Sequence, residues 1–241
     1  MAIGLFRPML ENIQEANAVP VLAFSTLIAC LSFAMPQTSA NQSTVPSLSS
    51  RANYVKDLLD MFRLVRGVKG VMSGTWTWVA DSPVAALLLS ANMEDPDEPL
   101  GYDAEVAVRE LENHIRTDAE TEGQKIDYLD AMQHFRRCFP RGTAGKHCQG
   151  LVLAWPFLVS DKFFLAMVEG QHIALVILGF FGALLHMLKS VWWVGDKGRQ
   201  LVAAVCNILP AERSAWMTWV RMRVNLNYDH HWSTTDSIES G

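Results

Sequence analysis

The 241-residue chain is 50% hydrophobic and 19% charged, enough apolar material for a sizeable core, and its length does not force a second domain. A net charge of -5 argues against a nucleic-acid surface, because phosphate contacts need clustered Lys and Arg. The four cysteines (Cys30, Cys138, Cys148, Cys206) show no paired metal-ligand spacing.

Residues 5–17 have mixed helical spacing and predict a first amphipathic helix. Pro20 then falls in the first turn of a helix running to Ala34, where its missing N–H costs nothing. Residues 35–50 are Ser-, Thr- and Gln-rich and read as a polar linker. Residues 53–72 form a strong helix with Leu58, Leu59, Phe62, Val65 and Val68 on one stripe, and Lys56, Asp57, Asp60, Arg63 and Arg66 opposite. Gly67, Gly70 and Gly74 are expected to weaken and end it, before Trp76, Trp78, Pro83 and a short helix over 84–89.

An acidic connection over 91–102 leads to Asp103, expected to cap a helix to Arg116 with Val106, Val108, Leu111 and Ile115 inward. Residues 121–137 give the next, with Ile126, Leu129, Met132 and Phe135 on one side. After a loop over 139–150, the apolar run 151–159 fits either helix or strand by periodicity; its context and Pro156 favour helix or an irregular turn. Ser160 and Asp161 cap a helix over 162–169, which Gly170 interrupts.

The central stretch follows: residues 173–189 are apolar on nearly every face, so this helix is expected to be buried all round, with Gly179 and Gly182 allowing close approach of neighbours. Trp192 and Trp193 end it, a helix over 199–209 comes next, and Pro210 starts the last one, with Trp216 and Trp219 one turn apart. No hairpin signal or repeat appears. The expected fold is all-α, a single helical domain over 1–224 around the central helix, with a polar tail over 225–241.

Two apolar stretches, 19–35 and 173–185, invite a membrane reading. The first is broken by Ser25, Thr26 and Ser32 and follows an acidic lead; the second has thirteen residues where a span needs roughly 20. Both are expected to be core helices, with no transmembrane segment. Cys30 and Cys206 read as buried reduced thiols, and Cys138 and Cys148 as either a bridge or a reduced pair, the latter fitting an intracellular protein.

Candidate chemistry is sparse. His230 and His231 beside Asp229 sit in the polar tail, and His114, His134 and His147 fall on polar or loop positions, so no metal or cofactor is expected. There is no HExxH, phosphate-binding glycine loop or GxSxG. Two sets of polar residues stand out on apolar ground. His186 follows Leu184 and Leu185 on the central helix, and Glu169 and His172 flank Gly170 at its start. A structural hydrogen bond is the ordinary explanation, a polar anchor or general acid beside an apolar cavity the sharper one. Arg63 and Arg66 either pair with Asp57 or Asp60 or reach a buried carboxylate or ligand. Eight Trp and eleven Met suit either a bulky apolar ligand or an ordinary core.

Residues 22–34 (LAFSTLIACLSFA), 57–72 (DLLDMFRLVRGVKGVM), 174–202 (ALVILGFFGALLHMLKSVWWVGDKGRQLV) and 212–220 (ERSAWMTWV) together resemble the C-terminal regulatory domain of fungal zinc-binuclear-cluster transcription factors of the sterol-uptake type. The six-cysteine DNA-binding cluster of that family has no counterpart here, so the chain is expected to be an excised domain or a free-standing relative without direct nucleic-acid binding. The resemblance implies an all-α homodimer, cytoplasmic or nuclear, holding a sterol- or terpenoid-like molecule. Its lining would come from Phe24, Ile28, Met61, Phe62, Val65, Trp76, Trp78, Phe180, Phe181, Leu184 and Trp192, with His186 or Arg66 as anchor. Two alternatives stand beside it. One is a cofactor-independent cyclase, isomerase or pericyclase of fungal terpenoid metabolism with His186 and Glu169 as catalytic groups. The other is an interaction subunit for full-length regulators.

Overall fold

The computed structural model describes residues 2–34, 48–82, 100–139 and 148–226. The linker core (35–47), the helix expected over 84–89, most of the acidic connection, His147 and the His230–His231 pair lie outside them. The described residues form ten α-helices and one 3-10 helix, with no strand, as the periodicities predict. They are α1 (Ala2–Glu11), α2 (Glu15–Ala34), α3 (Leu48–Val79), α4 (Tyr102–Asp118), α5 (Glu122–Cys138), α6 (Cys148–Leu158), α7 (Asp161–Val168), α8 (His172–Met187) and α9 (Lys197–Ile208). The 3-10 helix (Ala211–Met217) and α10 (Thr218–Arg223) close the chain.

Every residue of α8 from Ile173 to His186 is buried. A helix without a polar face has no solvent side, so α5, α6, α7, α9, α10 and the 3-10 helix pack around it, and α3 reaches it through Phe62. Two adjacent rings on α8 hold opposite walls. Phe181 stacks on Trp155 of α6 (centroids 4.7 Å, planes 16° apart) and meets Phe62 of α3 edge-on at 5.5 Å. Phe180 stacks on Trp219 of α10 at 5.4 Å and meets Phe135 of α5 edge-on at 5.8 Å. Such pairs add about 0.5–1.5 kcal/mol each beyond the area they bury.

The α8–α9 crossing is closer than side chains permit. A Cβ on Gly198 would stand 2.3 Å from the His186 backbone nitrogen and 2.5 Å from the Gly182 carbonyl oxygen. Gly182 in turn faces Val202, and Gly179 faces Met217. Tyr54 of α3 fastens the near side of this crossing, its hydroxyl donating to the Lys197 carbonyl at 3.0 Å.

The antiparallel α2–α3 pair carries a second, smaller core. Phe33 at the end of α2 and Tyr54 to Phe62 of α3 belong to the main core, but Ala18, Leu22 and Ala29 cluster with Val68 and Val79 apart from it. Phe6 of α1 lies on Phe24 at 4.5 Å.

Several expected details differ. Residues 5–17 are not one helix: the chain turns after Glu11, where the Asn17 side chain accepts from the Gln14 N–H and donates to the Asn12 carbonyl. The glycines do not end α3. A Cβ on Gly67, Gly70 or Gly74 would meet nothing within 4 Å, so these positions face outward while the opposite side packs on α2, and that packing outweighs their weak helix propensity. Val106 and Ile126 point outward; Ala104, Ala107, Tyr128 and Ala131 fill the inward positions, because the buried stripes are rotated from those read off the larger residues. Asp103 does not cap α4. Gly101 is the N-cap, and Asp103 accepts from the Trp219 indole N–H at 3.0 Å, with Arg223 at 3.8 Å, holding its carboxyl below the usual range. Ser160 caps α7 as expected, accepting from the Phe163 N–H, and residues 151–158 are helical. Cys138 is a free thiol, so it forms no bridge to Cys148, and burial pushes its pKa up to about 12.

The two kinds of glycine are separable by substitution. Gly70→Ala should raise stability by about 0.5–1 kcal/mol, since it removes backbone entropy from an open helical site. Gly198→Ala should lower it by at least ~2 kcal/mol through overpacking against backbone. Urea unfolding of the two variants checks the contrast, and equal effects would contradict the crossing described.

Candidate functional site

The residues expected to line an apolar cavity fall into three places. Phe62, Phe180, Phe181 and Leu184 are buried in the main core, joined by Met61, and the rings of Phe62 and Phe181 touch each other. Phe24, Ile28 and Val65 belong to the α2–α3 hairpin, half-buried. Trp76 and Trp78 lie 38% and 41% exposed near the end of α3, and Trp192 is 85% exposed on the turn after α8. The structure therefore does not gather them around one space. Trp192 points outward because its neighbour Trp193 takes the inward position, edge-on to Phe33 at 5.6 Å.

Arg66 has a clear architectural task. Its guanidinium donates to the Pro156 and Val159 carbonyls, both at 2.8 Å, and pairs with the Asp161 carboxylate. It thereby satisfies carbonyls at the C-terminal end of α6, joins α3 to the α6–α7 corner, and lies over the Phe164 ring at 5.1 Å. The bond to Arg66 holds the Asp161 carboxyl below the usual range. Arg63 pairs with Asp60 one turn away, the surface alternative foreseen for it.

His186 is 9% exposed, in the last turn of α8, and its Nδ1 has no hydrogen-bond partner. Burial pushes its pKa below the usual imidazole value; Lys189 and Arg199 act the same way and Asp196 opposes them. Glu169 lies at the other end of α8, exposed, accepting from the Gln171 amide at 3.1 Å. The 14-residue separation of His172 and His186 along the helix is about 21 Å, so Glu169 and His186 share no site.

Among the described residues, two surface clefts stand out. One, of about 720 Å3, lies between the end of α4, the start of α8 and the 3-10 helix; there Trp216 stacks on His114 at 4.3 Å and carries the Arg213 guanidinium at 4.1 Å, while Arg213 pairs with Asp118. The other, of about 340 Å3, lies between α5 and α7 and includes Glu169. Its Gln171 side-chain oxygen accepts from Tyr128 and Gln124, and burial pushes the Tyr128 pKa up to about 12. Of the polar residues singled out in the sequence, His172 borders the first cleft and Glu169 the second, and none of the expected apolar lining residues borders either. Among the described residues, no group of three or more His, Cys, Asp or Glu could hold a metal ion.

The surface feature that sequence reasoning missed is on the hairpin. Leu27 and Leu31 of α2 are 52% and 55% exposed, and Leu64 of α3 is also open. Because α2 is apolar on all sides, its pattern gave no signal of which face would remain uncovered. α2 is also long and apolar enough to cross a membrane by length and composition, as α7 and α8 together would be but for their 100° bend.

No family model and no solved structure matches the chain. A Zn(2)-C6 fungal-type transcription factor of Gibberella zeae is 24% identical to it over 214 residues, 85% of this chain and 42% of that protein. The chain thus spans less than half the length of the curated relative it matches. The likeness agrees with the resemblance read from the sequence at the level of a fungal zinc-cluster factor and carries no statement about a sterol.

Two measurements test the polar groups. His186 folds neutral and unfolds to an imidazole of pKa about 6.5, so its contribution is complete above that pH and is lost as pH falls through 6.5 toward the depressed folded value. Stability should drop below pH 6.5 with a His186 component of up to ~1.4 kcal/mol per pH unit. His186→Gln should flatten the slope by that component and leave the part due to His134, which burial also depresses. Arg66→Met should cost about 2 kcal/mol in urea unfolding, with Arg66→Lys recovering only part, because one ammonium cannot reproduce the fork.

Proposed function

We propose that the chain is a helical regulatory module of a fungal transcription factor-like protein, and that it acts by protein contact through the outer face of its α2–α3 hairpin. The observation that carries this is a set of exposed apolar side chains on one hairpin: Leu27, Leu31, Leu64, Trp76 and Trp78 stand in water there, beside a centre closed by interlocking rings, although Tyr102, Trp192 and Met222 are exposed elsewhere. Large apolar groups exposed together on one element mark interaction surfaces. The likeness to a Zn(2)-C6 factor over most of this chain supplies the regulatory context. With a net charge of -5, recognition of DNA falls to another module in this reading.

One observation favours a second reading, that a sterol- or terpenoid-sized molecule parts the core: the unpartnered Nδ1 of buried His186, which a ligand hydroxyl would satisfy. Such a ligand would stabilise the native state by mass action, and a panel of sterols and cyclic terpenoids would raise Tm in a way that His186→Gln abolishes. The contact reading expects no shift.

Tethering the chain to a heterologous DNA-binding domain in a reporter strain tests the contact reading. Leu27→Glu, Leu31→Glu and Trp78→Glu should each change reporter output at least roughly fivefold while melting temperature stays within a few degrees, since the positions are exposed. Output indistinguishable from the parent for all three would overturn it.

A further inference from the structure

The turn joining α8 to α9 is anchored at several points and holds one aromatic side chain out in water. Leu188 and Val194, towards its two ends, are 3% and 1% exposed. Between them the backbone closes on itself. The Val191 N–H donates to the Leu188 carbonyl, and the Val194 and Gly195 N–H groups both donate to the Val191 carbonyl, each at 2.9 Å. The Lys197 ammonium donates to the Trp193 carbonyl at 3.0 Å, and the Trp193 ring stands edge-on to Phe33. On a backbone fixed in this way, Trp192 is left 85% exposed. An aromatic ring presented on an ordered segment loses little freedom when a partner covers it, and Trp is enriched where contacts carry binding energy.

The charges around Trp192 are unbalanced. From Leu188 to Ile208 the chain carries Lys189, Lys197 and Arg199 against one acid, Asp196, an excess of two positive charges in a protein of net charge -5. The end of α2, which reaches this turn through Phe33, adds no carboxylate, since none follows Glu15 on that helix. Lys189 and Arg199 are exposed, and neither enters an ion pair among the described residues. Both act on the buried His186 imidazole, and Asp196 acts on it with the opposite sign, so all three charges surround the same end of α8.

An apolar ring beside cations that lack partners selects the opposite pattern, carboxylates next to a bulky apolar group. At physiological salt the Debye length is about 8 Å, so the patch rather than the net charge governs close approach. A nucleic-acid strand extends well beyond that distance, over a molecule that is acidic on balance. A bilayer would meet Asp196 together with the cations, and one ring with so few charges falls short of the two signals that stable anchoring takes. A short acidic peptide fits within the patch.

We propose that the α8–α9 turn docks an acidic peptide segment of a partner protein, with an apolar side chain of the segment packed on the Trp192 indole and its carboxylates paired with Lys189 and Arg199. The site uses none of the exposed hairpin residues, so it stands or falls apart from the contact reading above.

The indole N–H resonances of the isotope-labelled whole chain supply the test, the Trp192 signal being the one that Trp192→Phe removes. The probe is a short synthetic peptide of Glu, Ser and Gly around a central Leu pair. It should shift the Trp192 signal with a Kd of about 10–100 μM, the range of a small charged interface. By calorimetry, Lys189→Glu, Arg199→Glu and Trp192→Ser should each weaken binding roughly tenfold or more, and Lys189→Arg should retain it. All three positions are exposed, so Tm should stay within a few degrees of the parent.

A Trp192 signal that stays fixed up to about 1 mM peptide overturns the proposal. So does binding that charge reversal at Lys189 and Arg199 leaves unchanged, or equal binding of the peptide with Lys in place of Glu. A signal moved by single-stranded oligothymidine or by phosphatidylcholine–phosphatidylserine vesicles, but not by the peptide, also overturns it, in favour of a nucleic-acid or lipid occupant. Leu27→Glu should leave the titration unchanged, and a loss of binding there would overturn the assignment to this turn.

Discussion

A helix with no polar side has to be enclosed before anything else in the molecule can be stable, and α8 is such a helix. Its fourteen residues from Ile173 to His186 leave no face for water, so the surrounding helices are placed by what α8 must hide. Phe180 and Phe181 set two directions of that packing: one ring reaches α5 and α10, its neighbour reaches α3 and α6. Polar ties then lie around this centre. Trp155 turns its indole N–H to the Ala131 carbonyl, and Arg136 of α5 bridges Glu105 and Glu112 of α4. These bonds fix orientation at the edge of a core whose stability comes mainly from apolar area.

The hairpin obeys a different rule. Its root shares the main core through Phe33 and Tyr54 to Phe62, whereas its outer part depends on a small cluster between α2 and α3. The Arg66 clasp lies where one regime gives way to the other. Regions with few buried contacts open at lower free energy than the whole molecule. The outer hairpin accordingly opens at lower free energy than α8, which fits the contact surface proposed for it.

Much of this was legible in the residues. The burial of α8, the Ser160 cap and the all-α class each follow from a local pattern that tertiary structure did not override. What failed did so for identifiable reasons. Glycine propensity argued for ending α3 near Met72, but that penalty is about 1 kcal/mol per residue and the burial of Val68 and Val79 on α2 exceeds it. Size alone puts Val106 and Ile126 inward, yet Ala104, Ala107 and Ala131 let the helices come closer and take those positions. The lining that the resemblance implies does not come together, because residue chemistry does not say which aromatic lies beside which. The open side of α2 was invisible because a pattern apolar all round has no phase.

Gly198 has a consequence in genetics. Its backbone passes against His186 and Gly182 so closely that the smallest side chain meets main-chain atoms. Any missense change at its codon adds at least a Cβ, so the position has no neutral neighbour one mutation away. Drift in this protein can place a side chain at the open Gly67, Gly70 and Gly74 positions of α3, but it cannot enter the α8–α9 crossing by single steps. A lineage that altered that residue would first have to move a helix.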